Sequence, residues 1–261
     1  MIRGFISAVR TLTAIPVPGR DVERLSSALP WFPAVGLLLG LAVCGAIMLP
    51  GLVVARAWPE GLAVLAVVAG VLLTRGIHLD GLADWADGFW GSGDRVRILQ
   101  IMKDPHIGAF GAIAVVCVML AKWVSITRLV ATGSLEWIIA AYVISRTMPV
   151  VLLAAEPYAR AEGGTAAPFA QGVGQRHLAV AMLMALILVH LFCGLHWGWP
   201  AALLAGWCFT RLFGLWCRGR IGGVTGDILG ACTEMVETLI LASGAFLACV
   251  GPDGSPPVFR M

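Results

Sequence analysis

Charge is what this sequence has least of. Of its 261 residues, 18 are Lys or Arg and 15 are Asp or Glu, a charged share of 13%, about half that of soluble domains. A chain so poor in charge, 59% hydrophobic and with a mean hydropathy of +0.89, is neither an ordinary water-soluble domain nor a disordered one. Its net charge of +3 is too small to call for a polyanion, which excludes a classical nucleic-acid binder. The seven cysteines (Cys44, Cys117, Cys193, Cys208, Cys217, Cys232, Cys249) stand singly with no CxxC pair. They read as packing thiols rather than a disulfide framework or a zinc site. The N-terminal stretch carries four arginines but lacks an apolar core before a small-residue cleavage site, so it is not a removable signal peptide. Nothing alternates at period two over the ~10-residue segments of a transmembrane barrel. No tandem repeat stands out, and no GxxxG face is evident among the 32 glycines.

What the sequence does have is a succession of apolar runs, most of them long enough to cross ~30 Å of hydrocarbon as a helix. Seven spans are drawn, roughly 31–55, 59–75, 108–131, 135–156, 178–196, 199–216 and 228–250. The expected fold is therefore all-α, a polytopic membrane helical bundle forming one membrane domain over 1–261. Short connectors lie on one side. The other receives residues 1–30, 75–107, 157–177 and 217–227. Twelve basic residues (Arg3, Arg10, Arg20, Arg24, Arg75, Arg95, Arg97, Lys103, Arg160, Arg176, Arg218, Arg220) fall on that second side against Arg56 and Arg260 on the first. Because cytoplasmic loops are enriched in Lys and Arg, the N-terminal segment 1–30 and the loops 75–107 and 217–227 are expected in the cytoplasm, and the tail 251–261 outside.

The densest chemistry lies in GIHLDGLADWADGFWGSGDRVRILQIMKDPHIGAFG, residues 76–111. Asp80, Asp84 and Asp87 follow one another at i, i+4 and i+7, within a ~60° sector of a helical face at ~100° per residue. Carboxylates so close repel unless a cation lies between them, and hard oxygen ligands of this kind suit Mg²⁺ or Mn²⁺ completed by water and phosphate. The alternative is a solvated acidic face paired with Arg95, Arg97 or Lys103; the bracketing Trp85, Phe89 and Trp90 argue against it. Glycines at 81, 88, 91 and 93 each cost ~1 kcal/mol relative to Ala inside a helix. They suit close approach of a phosphate-bearing ligand to the backbone, or a flexible linker at 91–93. Arg95, Arg97 and Lys103 supply cations for phosphate oxygens, and Asp104 is either a further ligand or the partner of Lys103.

A second polar cluster, RGRIGGVTGDILGACTEMVE at 218–237, places Gly226 and Asp227 at a helix start, where backbone N–H groups face an anion; Asp227 is alternatively a plain N-cap. Glu234 and Glu237 fall inside an apolar span, where carboxylates indicate a functional site or a bundle-interior partner. Arg146 and Arg211 are each either a substrate ligand or the counter-ion of an acid such as Glu237. Lys122 and Arg128 suit structural roles. His78, within a turn of Asp80, is a candidate site residue, whereas His190 and His196 read as packed histidines.

At HLDGLADWADG followed by IMKDPHIGAFG, the chain resembles the cobalamin synthases, the adenosylcobinamide-GDP ribazoletransferases of the vitamin B12 pathway. TxIPVP at Thr13–Pro18, Ser145-Arg146 and GGVTGDILGA at 222–231 extend the likeness over nearly the whole chain. Trp85, Pro105 and His106 depart from the family pattern, and none of them replaces one of its acids. The resemblance implies an Mg²⁺-dependent transferase of the bacterial inner membrane. Such an enzyme joins α-ribazole, or its 5′-phosphate, to adenosylcobinamide-GDP and releases GMP. On that reading Asp80, Asp84 and Asp87, with Asp227, hold the metal, and Lys103, Arg95 and Arg97 face the leaving phosphate. Asp87 or His78 takes the proton of the attacking hydroxyl. Two other classes fit less well: a CDP-alcohol phosphotransferase, whose DG–AR spacing is absent, and a divalent-cation or corrinoid transporter. A homo-oligomer is neither required nor excluded.

Overall fold

The structure, a computed structural model, describes residues 2–54, 58–160 and 162–249. Arg56, Arg260 and the tail 251–261 lie outside these. The chain opens with an amphipathic helix α1 (Ile2–Leu12), which packs on a 3-10 turn (Leu25–Trp31) leading into α2 (Phe32–Val54). Helix α3 (Pro59–Thr74) returns across the bundle and is followed by α4 (Ile77–Gly91) and the short α5 (Arg95–Ile101). Two long helices, α6 (Ala109–Thr132) and α7 (Glu136–Ala155), precede the single turn α8 (Ala167–Ala170). Helices α9 (Gln175–Cys193), α10 (Gly198–Ile221) and α11 (Gly226–Leu247) complete the bundle. No strand occurs among the described residues.

Helix α7 is the centre. It is buried almost continuously from Trp137 to Leu153 and packs on α2, α9, α10 and α11. Contrary to the expectation of no GxxxG face, Gly36 and Gly40 of α2 form one. A Cβ on Gly36 would lie 2.9 Å from the Cα of Val143, and one on Gly40 would lie 3.0 Å from the Cα of Ile139. The missing side chains let two backbones meet where helices associate by packing rather than by water exclusion. Opposite faces carry Leu120, Val124, Leu183, Ile187 and Leu212 outward, as hydrocarbon requires.

Among the described residues six helices are long and apolar enough to cross a membrane; the expected second span is a broken one, α3 and α4 meeting at 89°. The corner is two residues wide. Arg75 (φ 56°) and Gly76 (φ 66°) are both left-handed, a conformation glycine adopts freely and arginine rarely. The connection 75–107, with its acids expected on one helical face, is mostly helix: α4 carries that face and α5 follows it. The sixth span also runs further than expected, to Ile221, because Cys217 and Ile221 are buried and Gly222 (φ 84°) supplies the left-handed cap.

Candidate active site

Helix α4 lies between α6 and α11, and small residues set the spacing. A Cβ on Gly81 would come within 2.7 Å of the Asp227 carbonyl oxygen, and one on Gly230 would sit 3.2 Å from the His78 Cα. The C-terminal end of α4 is clamped by Arg220, whose guanidinium donates to the carbonyls of Phe89 at 3.0 Å and Ser92 at 2.7 Å, the favourable place for a cation on a helix.

The acids on this helix divide. Asp87 is buried, and its two carboxylate oxygens accept from the backbone N–H groups of Gly108 (2.7 Å) and Gly111 (2.8 Å). It therefore caps the start of α6, satisfying N–H groups that no helix can satisfy internally. Gly111 and Gly108 leave no room for a Cβ beside that carboxylate. Asp84, half-buried, and Asp80, exposed, make no such bonds. Asp84 stands within electrostatic reach of Asp227, Asp80 and Asp87, with Arg160 opposing them.

Two cavities meet here. One, of about 420 Å³, is lined by residues that include Phe32, His78, Asp80, Phe169, Gly226 and Asp227. The other, of about 760 Å³, is lined by residues that include Asp80, Asp84, Lys103, Asp104 and His106. Asp80, Arg75 and Ile77 belong to both walls. His78 is buried, and its Nδ1 has no hydrogen-bond partner among the described residues. Lys103 pairs with Glu162, whose carboxyl is held below the usual carboxylate range by that bond. Asp104 accepts from the backbone N–H of His106 at 3.0 Å and contacts its ring Nδ1 at 2.7 Å. These bonds, the backbone one foremost, likewise lower its pKa. Arg95 reaches the Ala159 carbonyl at 3.4 Å and lies against Gly222. Arg97 stays exposed, its backbone N–H capped by Asp94 at 2.9 Å. Neither lines the two cavities.

At the start of α11, Asp227 is an ion-pair partner as well as a first-turn acid. The Arg160 guanidinium donates to its Oδ2 at 2.8 Å and also reaches the Met102 carbonyl at 3.3 Å. The N-cap of this helix is Thr225 rather than Asp227, its hydroxyl accepting from Ile228 N–H at 3.4 Å. The strand-like contact of Tyr158 with Val224, with Ala159 N–H donating to the Val224 carbonyl at 2.8 Å, brings Arg160 to this place. Sequence reasoning counted Arg160 among the basic residues and missed its role, for no local motif marks it. Its partner is 67 positions away.

Three of the predicted polar residues lie elsewhere. Lys122 donates to Glu234 at 2.5 Å and to Glu237 at 2.6 Å. Arg146 pairs with the other Glu237 oxygen and stacks 4.4 Å from the Tyr142 ring centroid. This network of α6, α7 and α11 encloses only about 20 Å³, so Arg146 and Glu237 are mutual counter-ions in the bundle interior. Arg211 donates to the fully buried Glu156 at 3.0 Å; it too is a counter-ion.

No three His, Cys, Asp or Glu side chains among the described residues stand close enough to form a metal site by themselves. The donor set nonetheless fits a hard divalent cation completed by substrate. Mg²⁺ is held by one or two carboxylates together with water and phosphate oxygens, rather than by an all-protein cage. Asp80 and Asp84 offer two such carboxylates, one helical turn apart and mutually repelling.

Comparison with known proteins gives the family. The family model described as cobalamin-5-phosphate synthase matches residues 4–245. The adenosylcobinamide-GDP ribazoletransferase of Chlorobium phaeobacteroides (strain BS1) is 48% identical over 95% of this chain and 99% of its own length. The protein of that name from Chlorobaculum parvum is 47% identical over 92% and 94%, and the one from Syntrophobacter fumaroxidans is 39% identical over 85% and 88%. No solved structure matches. With the acid-bearing α4 and nearly all of the helical bundle inside the matched region, the chain, a transferase with several membrane-length helices, belongs to the cobalamin-5-phosphate synthase family.

Proposed function

We propose that this protein joins α-ribazole, or its 5′-phosphate, to adenosylcobinamide-GDP, giving adenosylcobalamin or its 5′-phosphate and GMP. The observation that carries the reading is the neighbouring pair of carboxylates, Asp80 in the wall that two cavities share and Asp84 in the wall of the larger. A reaction between two substrates needs two spaces that meet at the reacting atoms. The hydroxyl oxygen of the ribazole ribose attacks the phosphorus nearer the corrinoid. The bond from that phosphorus to the bridging oxygen breaks, and GMP departs with that oxygen.

Asp80 and Asp84, with Asp227 behind them, would hold Mg²⁺, which supplies neutralisation of charge on the phosphate oxygens, the main requirement of phosphoryl transfer. Lys103, in the wall of the larger cavity, faces the departing phosphate. His78, in the wall of the smaller one, is placed to accept the hydroxyl proton, since both oxygens of Asp87 already serve backbone N–H groups. Arg160 orients Asp227.

Purified protein should release GMP from adenosylcobinamide-GDP and α-ribazole only when Mg²⁺ is supplied; GMP release that persists in chelator would remove the metal from the scheme. We read the basic side of the bundle, with α4, as facing the cytoplasm of a bacterial cell, a reading its Lys and Arg excess supports. In a cysteine-free background, an impermeant thiol reagent applied to spheroplasts should label Ser134→Cys and spare Ser92→Cys. The opposite pattern would invert the orientation.

A further inference from the structure

The two cavities differ in chemistry as well as size. In the smaller one the rings of Phe32 and Phe169 meet edge to face, 6.0 Å between centroids, and Pro149 and Leu153 of α7 supply further apolar wall. Its polar lining, with His78, Asp80 and Asp227 among it, stands apart from that apolar wall. At about 420 Å³ the space is that of a small-molecule pocket, too small for a corrin macrocycle. It is also a poor place for a diphosphate. Apart from His78, the basic side chain in its lining is Arg75, which belongs equally to the other cavity. The larger space, by contrast, holds Lys103 and His106 together with the free acids.

We infer that the smaller cavity is the acceptor subsite. It takes the aromatic nucleoside, with its base against the wall formed by Phe32, Phe169 and Leu153 and its ribose toward His78 and Asp80, while the pyrophosphate-bearing donor occupies the larger cavity. This assignment rests on the transfer reaction proposed above. An aromatic base gains edge and face contacts from the phenylalanine pair. The ribose then emerges beside Asp80, where the two walls join and the donor phosphorus is presented. Discrimination among nucleosides belongs to Ala166 and Phe169, which limit the cavity from the segment after Arg160.

The test separates binding from turnover. Equilibrium binding of α-ribazole alone to the wild-type protein in lipid nanodiscs is measured first, then initial rates with each substrate varied in turn. Filling the cavity with Ala166→Phe should weaken α-ribazole binding and raise its KM by about tenfold or more, leaving the KM for adenosylcobinamide-GDP where it was. Phe169→Ala, which removes bulk instead of adding it, should act on the same substrate and serves if the first variant does not fold. Lys103→Ala should do the reverse, raising the KM for the GDP-bearing donor while α-ribazole binding persists. The assignment is overturned if the wild type fails to bind α-ribazole, or if Ala166→Phe and Phe169→Ala act on the donor. Nucleoside binding with the expected variant pattern but without GMP release would support the subsite and overturn the reaction.

Discussion

Asp84 and Asp87 sit three residues apart on one helix and have different work. Asp84 spends no oxygen on the chain, whereas Asp87 gives both to the start of α6. Asp84→Asn, which keeps the shape and removes the charge, should therefore lower kcat by about a hundredfold or more without moving the thermal unfolding midpoint. Unchanged turnover would take Asp84 out of the metal site. Asp87→Ala should act first on stability. It leaves two N–H groups without their acceptor, at a cost of about 2 kcal/mol or more, read as a lowered unfolding midpoint in detergent. A midpoint equal to wild type would show that the cap contributes nothing. The spacing of the acids was legible in the sequence because a helix repeats every 3.6 residues. Their division was not, since the N–H groups that claim Asp87 come 21 and 24 residues later. The same distance hid the pairing of Arg160 with Asp227.

At the level of elements, the spans were legible to within a few residues, because uninterrupted apolar runs leave a helix no alternative in hydrocarbon. The corner between α3 and α4 was not, for its cause is tertiary. Once His78 and Gly81 pack against Gly230 and Asp227, α4 cannot continue the axis of α3. The intramembrane charges were legible as a problem to be solved, and the solution is the network of Lys122, Glu234, Glu237 and Arg146 joining α6, α7 and α11. Two cations face two carboxylates, and removing one partner strands a buried charge. Lys122→Met should destabilise the bundle by roughly 3–5 kcal/mol, seen as an early loss of helical signal on heating. Adding Glu234→Gln should recover part of that loss. A double variant no better than the single one would mean that the lysine stabilises by packing alone.

Over the whole molecule, scarcity of charge becomes an arrangement. Most ionisable side chains are either paired inside the bundle or on the side where α4, the turn before α11 and the segment after α7 converge, with Glu60, Arg128 and Glu136 toward the other end. Composition alone announced a membrane protein; only the assembled bundle distinguishes charges that hold helices together from charges left available for chemistry.

The brevity of α3 has one more consequence. Sixteen residues rise about 24 Å, short of the ~30 Å of an average hydrocarbon layer. Helices of such length fit a thin layer without distortion and strain against a thick one. Since α3 ends at the corner that sets the attitude of α4, membrane thickness acts on the acids through a lever. In vesicles of graded acyl-chain length, GMP release should be fastest in the shorter-chain lipids and decline as the chains lengthen. A rate indifferent to chain length would show that the corner, not the bilayer, absorbs the mismatch.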